Sequence, residues 1–307
     1  MMAEASILTQ TKPPLRAYGV IGLGILAVSL AAIFIRLAQM EGMPSLFIAA
    51  GRLTLASLVL TPLTLSRHAK LIRHLARNDL LLAAVSGFFL ALHFATWILS
   101  LEYTSVLVGV VLVTTGPLWI ALLETVFLKT RLGAIVILGL ILAIIGGILI
   151  GLSGGGDIEP GRNPLLGGIL AVCGAIAFAI YIVIGRKLRA RLPLLPYIWL
   201  VYSCAALVLT VAILATNTPV TGYTWEGYLW VVTLGLVPQL VGHSSFNYAV
   251  KYLPATFIGI AGQLEPVASA IIAMLLFREI PHSQQLWGSA TILVGISLAA
   301  LAQARSK

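Results

Sequence analysis

Charge is what this sequence has least of. Only 9% of its 307 residues are Asp, Glu, Lys or Arg, 60% are hydrophobic, and the mean hydropathy is +1.04. A soluble domain carries roughly a quarter charged residues, so the composition excludes a water-covered globular body and requires lipid around the chain. Acidic side chains are scarcest, ten against nineteen Lys and Arg. No HExxH, no paired aspartates and no Ser/His/Asp set stands out, which argues against an enzyme embedded in the membrane. The two cysteines, Cys173 and Cys204, both lie inside apolar runs and read as small apolar filler, not as a disulfide framework or a zinc site. The run Ser153-Gly-Gly-Gly156 has no preceding strand and no following Lys-Ser or Lys-Thr, so no nucleotide site and no ATP-driven pump is expected. No cofactor and no metal is implied.

Long apolar runs are what the sequence has in abundance. A membrane-crossing helix needs about 20 mostly apolar residues, and ten stretches qualify: 18–38, 45–65, 80–100, 105–128, 132–152, 165–185, 195–215, 227–249, 254–277 and 284–304. Continuous apolarity, not alternation, excludes a β-barrel. Lipid forces backbone polar groups to pair internally, which leaves helices as the spanning form. Links as short as Leu101 to Thr104 and Val250 to Pro254 require antiparallel neighbours. The first 17 residues are polar, and the run after them lacks a small-residue cleavage site, so it reads as a retained span and not a signal peptide.

Basic residues collect on the cytoplasmic side of membrane proteins. With the N-terminus inside, fifteen of the nineteen Lys and Arg fall in the inner tails and loops, and only Arg162 and Arg278 fall outside. Both termini are therefore expected in the cytoplasm. The net charge of +9 then records topology and contact with anionic lipid; nucleic-acid binding has no support.

The two halves resemble each other. Residues 103–147 and 252–296 align without gaps at a spacing of 149, pairing Tyr103 with Tyr252, Pro117 with Pro266, Gly139 with Gly288 and Gly146 with Gly295. The string Gly-Ile-Leu-Ala-Val opens each half, at 24–28 and 168–172. Five helices per half is an odd number, so the second half enters the membrane from the opposite side. Such inverted repeats are a plan of secondary transporters, because two similar halves exchange conformations.

The segments Tyr103-Thr-Ser through Pro117 to Phe127-Leu-Lys, and Tyr252-Leu-Pro-Ala-Thr through Leu264-Glu-Pro to Phe277-Arg-Glu279, resemble the paired signature of the drug/metabolite transporter superfamily, EamA-like branch. The runs Pro238 to Tyr252 and Ala179 to Lys187 strengthen the likeness. One departure stands out: Thr130 occupies the position matching Glu279, which weakens any role given to Glu279 by symmetry. The resemblance implies an all-α integral membrane protein of ten helices, with a central substrate cavity and, often, export of amino acids or other metabolites.

Ionisable residues inside a membrane need a partner, a wet cavity or a function. Glu265 precedes Pro266 in the ninth span, where it either binds a proton or a cationic group, or bonds a neighbouring backbone. Pro117 and Pro266 read as matched hinges that loosen the fourth and ninth spans. Gln239, His243 and Asn247 recur every four residues, a polar stripe that is either interhelical glue or a substrate path; Gln263 is placed on the same cavity. His93 and Trp97 share that spacing in the third span. The indole stacks on a flat substrate or anchors at the interface, and each imidazole either senses protons or bonds a helix carbonyl. Arg52 binds a substrate carboxylate, snorkels or pairs with an acid. Glu124 makes a gate or a plain ion pair with Lys129 or Arg131, and a structural role is the expectation. Gly146-Gly147 and Gly167-Gly168 allow close helix approach.

The expected organisation is a cytoplasmic tail (1–17), a first five-helix repeat (18–152), an extracytoplasmic linker (153–164) and a second repeat (165–304), in the cell inner membrane. The expected function is secondary transport of a small metabolite by alternating access, with export of amino acids or related compounds foremost. A lipid flippase or an enzyme acting on a lipid-linked group is the alternative, and a channel a weaker one. Expected partners are a small-molecule substrate and membrane lipid; proton coupling and a homodimer are open, and the site is assembled from Glu265, Gln263, His243, Asn247, Gln239, His93, Trp97 and Arg52.

Overall fold

The computed structural model describes residues 15–128, 133–152, 163–249, 252 and 261–305. Every regular element among them is a helix. In chain order they are α1 (Leu15–Met40), α2 (Ser45–Arg73), α3 (Arg77–Tyr103), α4 (Val106–Val113), α5 (Gly116–Leu128), α6 (Ala134–Leu152), α7 (Pro164–Arg189), α8 (Leu194–Thr216), α9 (Trp225–Ala249), α10 (Leu264–Phe277) and α11 (Ser283–Arg305). Six of them, α1, α2, α3, α7, α8 and α9, are long and apolar enough to cross a membrane. The tail before residue 15, Lys129, Thr130 and Arg131, most of the linker including Ser153 to Gly156, Lys251 and the expected start of the ninth span lie outside the described residues. So does the side chain of Glu124.

Local chemistry explains the helix ends. Asn163 caps α7 by accepting the Leu166 amide at 3.1 Å, with Pro164 in the first turn where no N–H is needed. Ser105 and Thr224 cap α4 and α9 in the same way. The end of α1 closes through Gly42 at φ 77°, whose amide bonds Gln39 O while that of Met43 reaches Ala38 O. This left-handed closure satisfies carbonyls that the helix leaves open. Asn217 closes α8 in the same geometry.

Three interruptions set the shape. The expected fourth span is two helices, α4 and α5, broken at Thr114 and Thr115. Pro117 stands in the first turn of α5, not at a kink within one helix. Pro266 likewise stands in the first turn of α10, behind a break at Gln263, so Glu265 opens a helix where mid-span was expected. Thr114 and Gln263 are 149 positions apart, as the two prolines are. A third break, at Leu30 in α1, leaves the Ser29 carbonyl to accept the hydroxyl of Ser269 at 2.8 Å.

Packing pairs distant parts of the chain. α3 lies along α7 and α8, α9 lies along α1 and α2, α2 packs on α8, and α6 on α11. The last pair meets at glycine: a β-carbon at Gly139 would stand 2.5 Å from Gly295 O, and one at Gly146 2.5 Å from Gly288 O. Positions 139 and 295 exchange into 288 and 146 under the spacing of 149. Gly167 also sits tightly, against Thr104, whereas Gly147 has nothing within 4 Å and takes no part in close approach.

Candidate functional site

The buried polar groups gather where α2, α3, α7, α8 and α9 meet. Arg52 stands about 10 Å along α2 from its start. It is 0% exposed, so it does not snorkel. Its guanidinium lies over the Phe94 ring with Cζ 4.0 Å from the centroid. Among the described residues, none of its three nitrogens has a hydrogen-bond partner, and no carboxylate lies within 4 Å. Guanidinium stays charged in proteins. A cation–π contact returns about 0.5–2 kcal/mol, whereas a charge at mid-membrane costs about 2.5–3.5 kcal/mol even on insertion scales. The ring alone therefore leaves Arg52 under-compensated. Glu265, partly buried, interacts with it electrostatically at longer range.

Rings surround this charge. His93 lies nearly parallel to Trp97, 5.8 Å between centroids, and within 4.7–5.0 Å of Phe94 and Phe178. His243 stands edge-on to Phe94 at 5.2 Å and to His93 at 6.4 Å. Trp97 is buried, not an interface anchor, and its Nε1 has no partner among the described residues. His93 Nδ1 lies 3.0 Å from Gly174 O, which fixes the ring on α7.

The stripe on α9 departs from simple α-helical spacing. Gly235–His243 winds as a π-helix with Pro238 inside it. Proline donates no N–H and crowds the carbonyl a turn earlier, and a wider turn relieves both. Asn247 donates to Tyr181 Oη at 2.9 Å and to His243 O at 2.9 Å, and accepts from the Tyr181 hydroxyl at 3.0 Å. Here the residue is interhelical glue. Gln239 is fully buried, with its side-chain amide beside the Tyr202 hydroxyl. Gln263 is buried at the break before α10.

A second polar cluster closes the Met40 end of the bundle. Arg36 donates to Thr104 O at 2.9 Å and pairs with Glu279 at 3.3 Å; the other Glu279 oxygen accepts the Val106 amide at 2.9 Å. Gln39 donates to Ser45 and to Ile98 O at 2.9 Å, and Ser45 bonds Glu102. At the opposite end, Arg191 pairs with Asp79 at 3.3 Å. Between α2 and α8 lies an apolar crevice of about 730 Å³, lined among others by Leu58, Thr210 and Leu214. The same two helices are also tied by Ser57 on Ser203 and by Trp199 Nε1 donating to Thr61 at 2.9 Å.

The family model of EamA-like transporters matches twice, at residues 16–152 and 165–301. The chain belongs to the EamA-like transporter family. Uncharacterized transporters are among its relatives. YdfC of Bacillus subtilis (strain 168) is 25% identical over 210 residues, 68% of this chain and 67% of its own. One from Archaeoglobus fulgidus is 26% identical over 229 residues, 74% and 79% of the two chains. A solved crystal structure superposes with TM-score 0.65 over 97% of this chain and 100% of that one, at 19% identity, a likeness of fold alone. As an EamA family member with several apolar spanning helices, the chain is a multi-pass membrane protein.

Four site residues escaped the reading of the sequence: Phe94, Phe178, Tyr181 and Tyr202. Two phenylalanines in apolar helices carry no signal. The tyrosines do, since a hydroxyl inside a span needs a partner, and Tyr181 and Tyr202 are both fully buried in theirs.

Proposed function

We propose that this EamA family member is a secondary transporter that exports amino acids or related small metabolites by alternating access across the cell inner membrane. The observation that carries the reading is Arg52, a buried cation with no hydrogen-bond or carboxylate partner among the described residues, with Glu265 interacting at longer range and an unpartnered indole nearby. Buried polar groups are ordinarily satisfied, and a binding site is where they wait for a ligand.

The architecture we propose is ten spans in two five-helix repeats of opposite orientation, 18–152 and 165–304, joined by an extracytoplasmic linker, with both termini cytoplasmic. The double family match, the matched breaks at Thr114 and Gln263, and the self-reciprocal glycine crossing of α6 and α11 support it. Pro117 and Pro266, each just behind a break, suit the hinges that alternating access needs. On this topology the Arg36–Glu279 cluster faces the outside and the Arg191–Asp79 pair the cytoplasm.

The test is uptake and efflux in proteoliposomes of wild type and Glu265→Gln, with and without a pH gradient, over a panel of amino acids. Gradient-dependent transport lost in the variant supports a proton-coupled carrier. Transport unchanged in the variant makes Glu265 structural and leaves a facilitator. No movement of any solute refutes transport. The apolar crevice between α2 and α8 favours one second reading, movement of lipid, for which headgroup-dependent flipping of labelled lipid is the assay.

A further inference from the structure

We infer that Arg52 is the anchor for the carboxylate of an organic acid, and that the substrate is a small carboxylate with a flat apolar body whose α-amino group is dispensable. The inference rests on the transporter reading above and names the substrate class of that site. Phe94 covers one face of the guanidinium, so its donors, which lie in the plane, remain for a ligand. That planar fork matches the two oxygens of a carboxylate and no other simple group as well, except phosphate. No protein carboxylate within 4 Å competes among the described residues. Gln239, fully buried, adds an amide beside Tyr202, the common neighbour of both residues.

The rest of the site selects the body of the ligand. Next to Phe94, the Phe178 and His243 rings are only partly buried, and with the mutually stacked His93 and Trp97 they form an aromatic wall with few charges. They suit a planar apolar group and give an inorganic anion nothing to touch. Glu265 interacts with Arg52 only at longer range, so it receives an ammonium when the ligand has one and is not needed when it has none. A cationic amine without a carboxylate leaves the Arg52 fork unfilled and is repelled by its charge.

The experiment uses the full chain in lipid nanodiscs, with binding followed by tryptophan fluorescence and by thermal shift. The probes are 3-phenylpropanoate, L-phenylalanine, 2-phenylethylamine and inorganic phosphate. Both acids are expected to bind, and the amine and phosphate are not. Arg52→Gln is expected to weaken acid binding by roughly 10- to 100-fold, the worth of a charge-assisted pair, and Arg52→Lys by less, since it keeps the charge and loses the fork. Amine binding equal to acid binding, phosphate binding alone, failure of both acids, or an Arg52→Gln variant of unchanged affinity overturns the inference. If Arg52→Gln does not fold, the wild-type preference of acid over amine decides. Counterflow in proteoliposomes separates the two readings. Acid binding without transport sinks the transporter reading and leaves the anion site, whereas transport of other solutes without acid binding does the reverse.

Discussion

Gly146→Ala, with Gly147→Ala beside it, gives the sharpest test of the helix packing. Both residues are interior to α6 and differ only in what they face. A methyl group at Gly146 meets Gly288 O at 2.5 Å and Ile292 Cγ1 at 2.7 Å, while one at Gly147 meets nothing within 4 Å. Ordinary contact between non-bonded heavy atoms lies near 3.5–4.0 Å, so α6 and α11 must part by most of an ångström to admit the first methyl and need not move for the second. Overpacking of this kind costs about 1–3 kcal/mol. Against it stands the better helix propensity of alanine, worth about 0.8–1.0 kcal/mol in water. The expected result is net loss of stability for Gly146→Ala and a neutral or stabilising Gly147→Ala. Thermal unfolding of the purified protein in one detergent, read by circular dichroism and by the loss of the monodisperse peak, measures it. Gly139→Ala repeats the experiment, since its methyl meets Gly295 O at 2.5 Å and Ala299 Cβ at 2.9 Å. Equal behaviour of Gly146→Ala and Gly147→Ala would refute the close crossing, and with it the reciprocal contact that supports the two-repeat architecture.

Tyr181→Phe removes a hydroxyl that bonds the Asn247 amide; the expected loss is about 0.6 kcal/mol, the average for such bonds in membranes, up to about 1.7, read by the same unfolding assay. Glu279→Leu strips Arg36 of its carboxylate and the Val106 amide of its acceptor. In a background without Cys173 and Cys204, a cysteine at Ser105, beside Glu279, should then be alkylated faster by a membrane-impermeant maleimide, and an unchanged rate shows that the cluster latches nothing. Pro238→Ala restores an N–H and lets the π-helical stretch relax. Stability should hold or rise while transport falls, because Gln239 and His243 turn away from Arg52; full activity would show that the wide turn does not set their aim.

Composition alone identified the solvent of this protein, because a chain so poor in charge has no means of meeting water over its whole surface. Run length and backbone satisfaction then made the spans helices. Arg52, Glu265, His93, His243, Trp97 and Gln239 were legible one by one, since each is a polar or amphipathic residue where lipid penalises it. Their partners were not. A polar residue in a span has the same sequence signature whether it is glue, as Asn247 is for Tyr181, or is left open, as Arg52 is among the described residues. The helix breaks were half legible: Pro117 and Pro266 marked the places, but proline tolerates the first turn as well as a kink, and only the fold put the gaps at Thr114 and Gln263. Phe94 was invisible, one apolar ring among many. Tertiary structure decided that this ring takes the face of the guanidinium, that Glu279 meets Arg36 across the chain, and that Gly146 and not Gly147 meets α11. Sequence sets which groups must find partners or remain costly; which atoms approach one another depends on helices far apart in the chain, and that only the packed bundle determines.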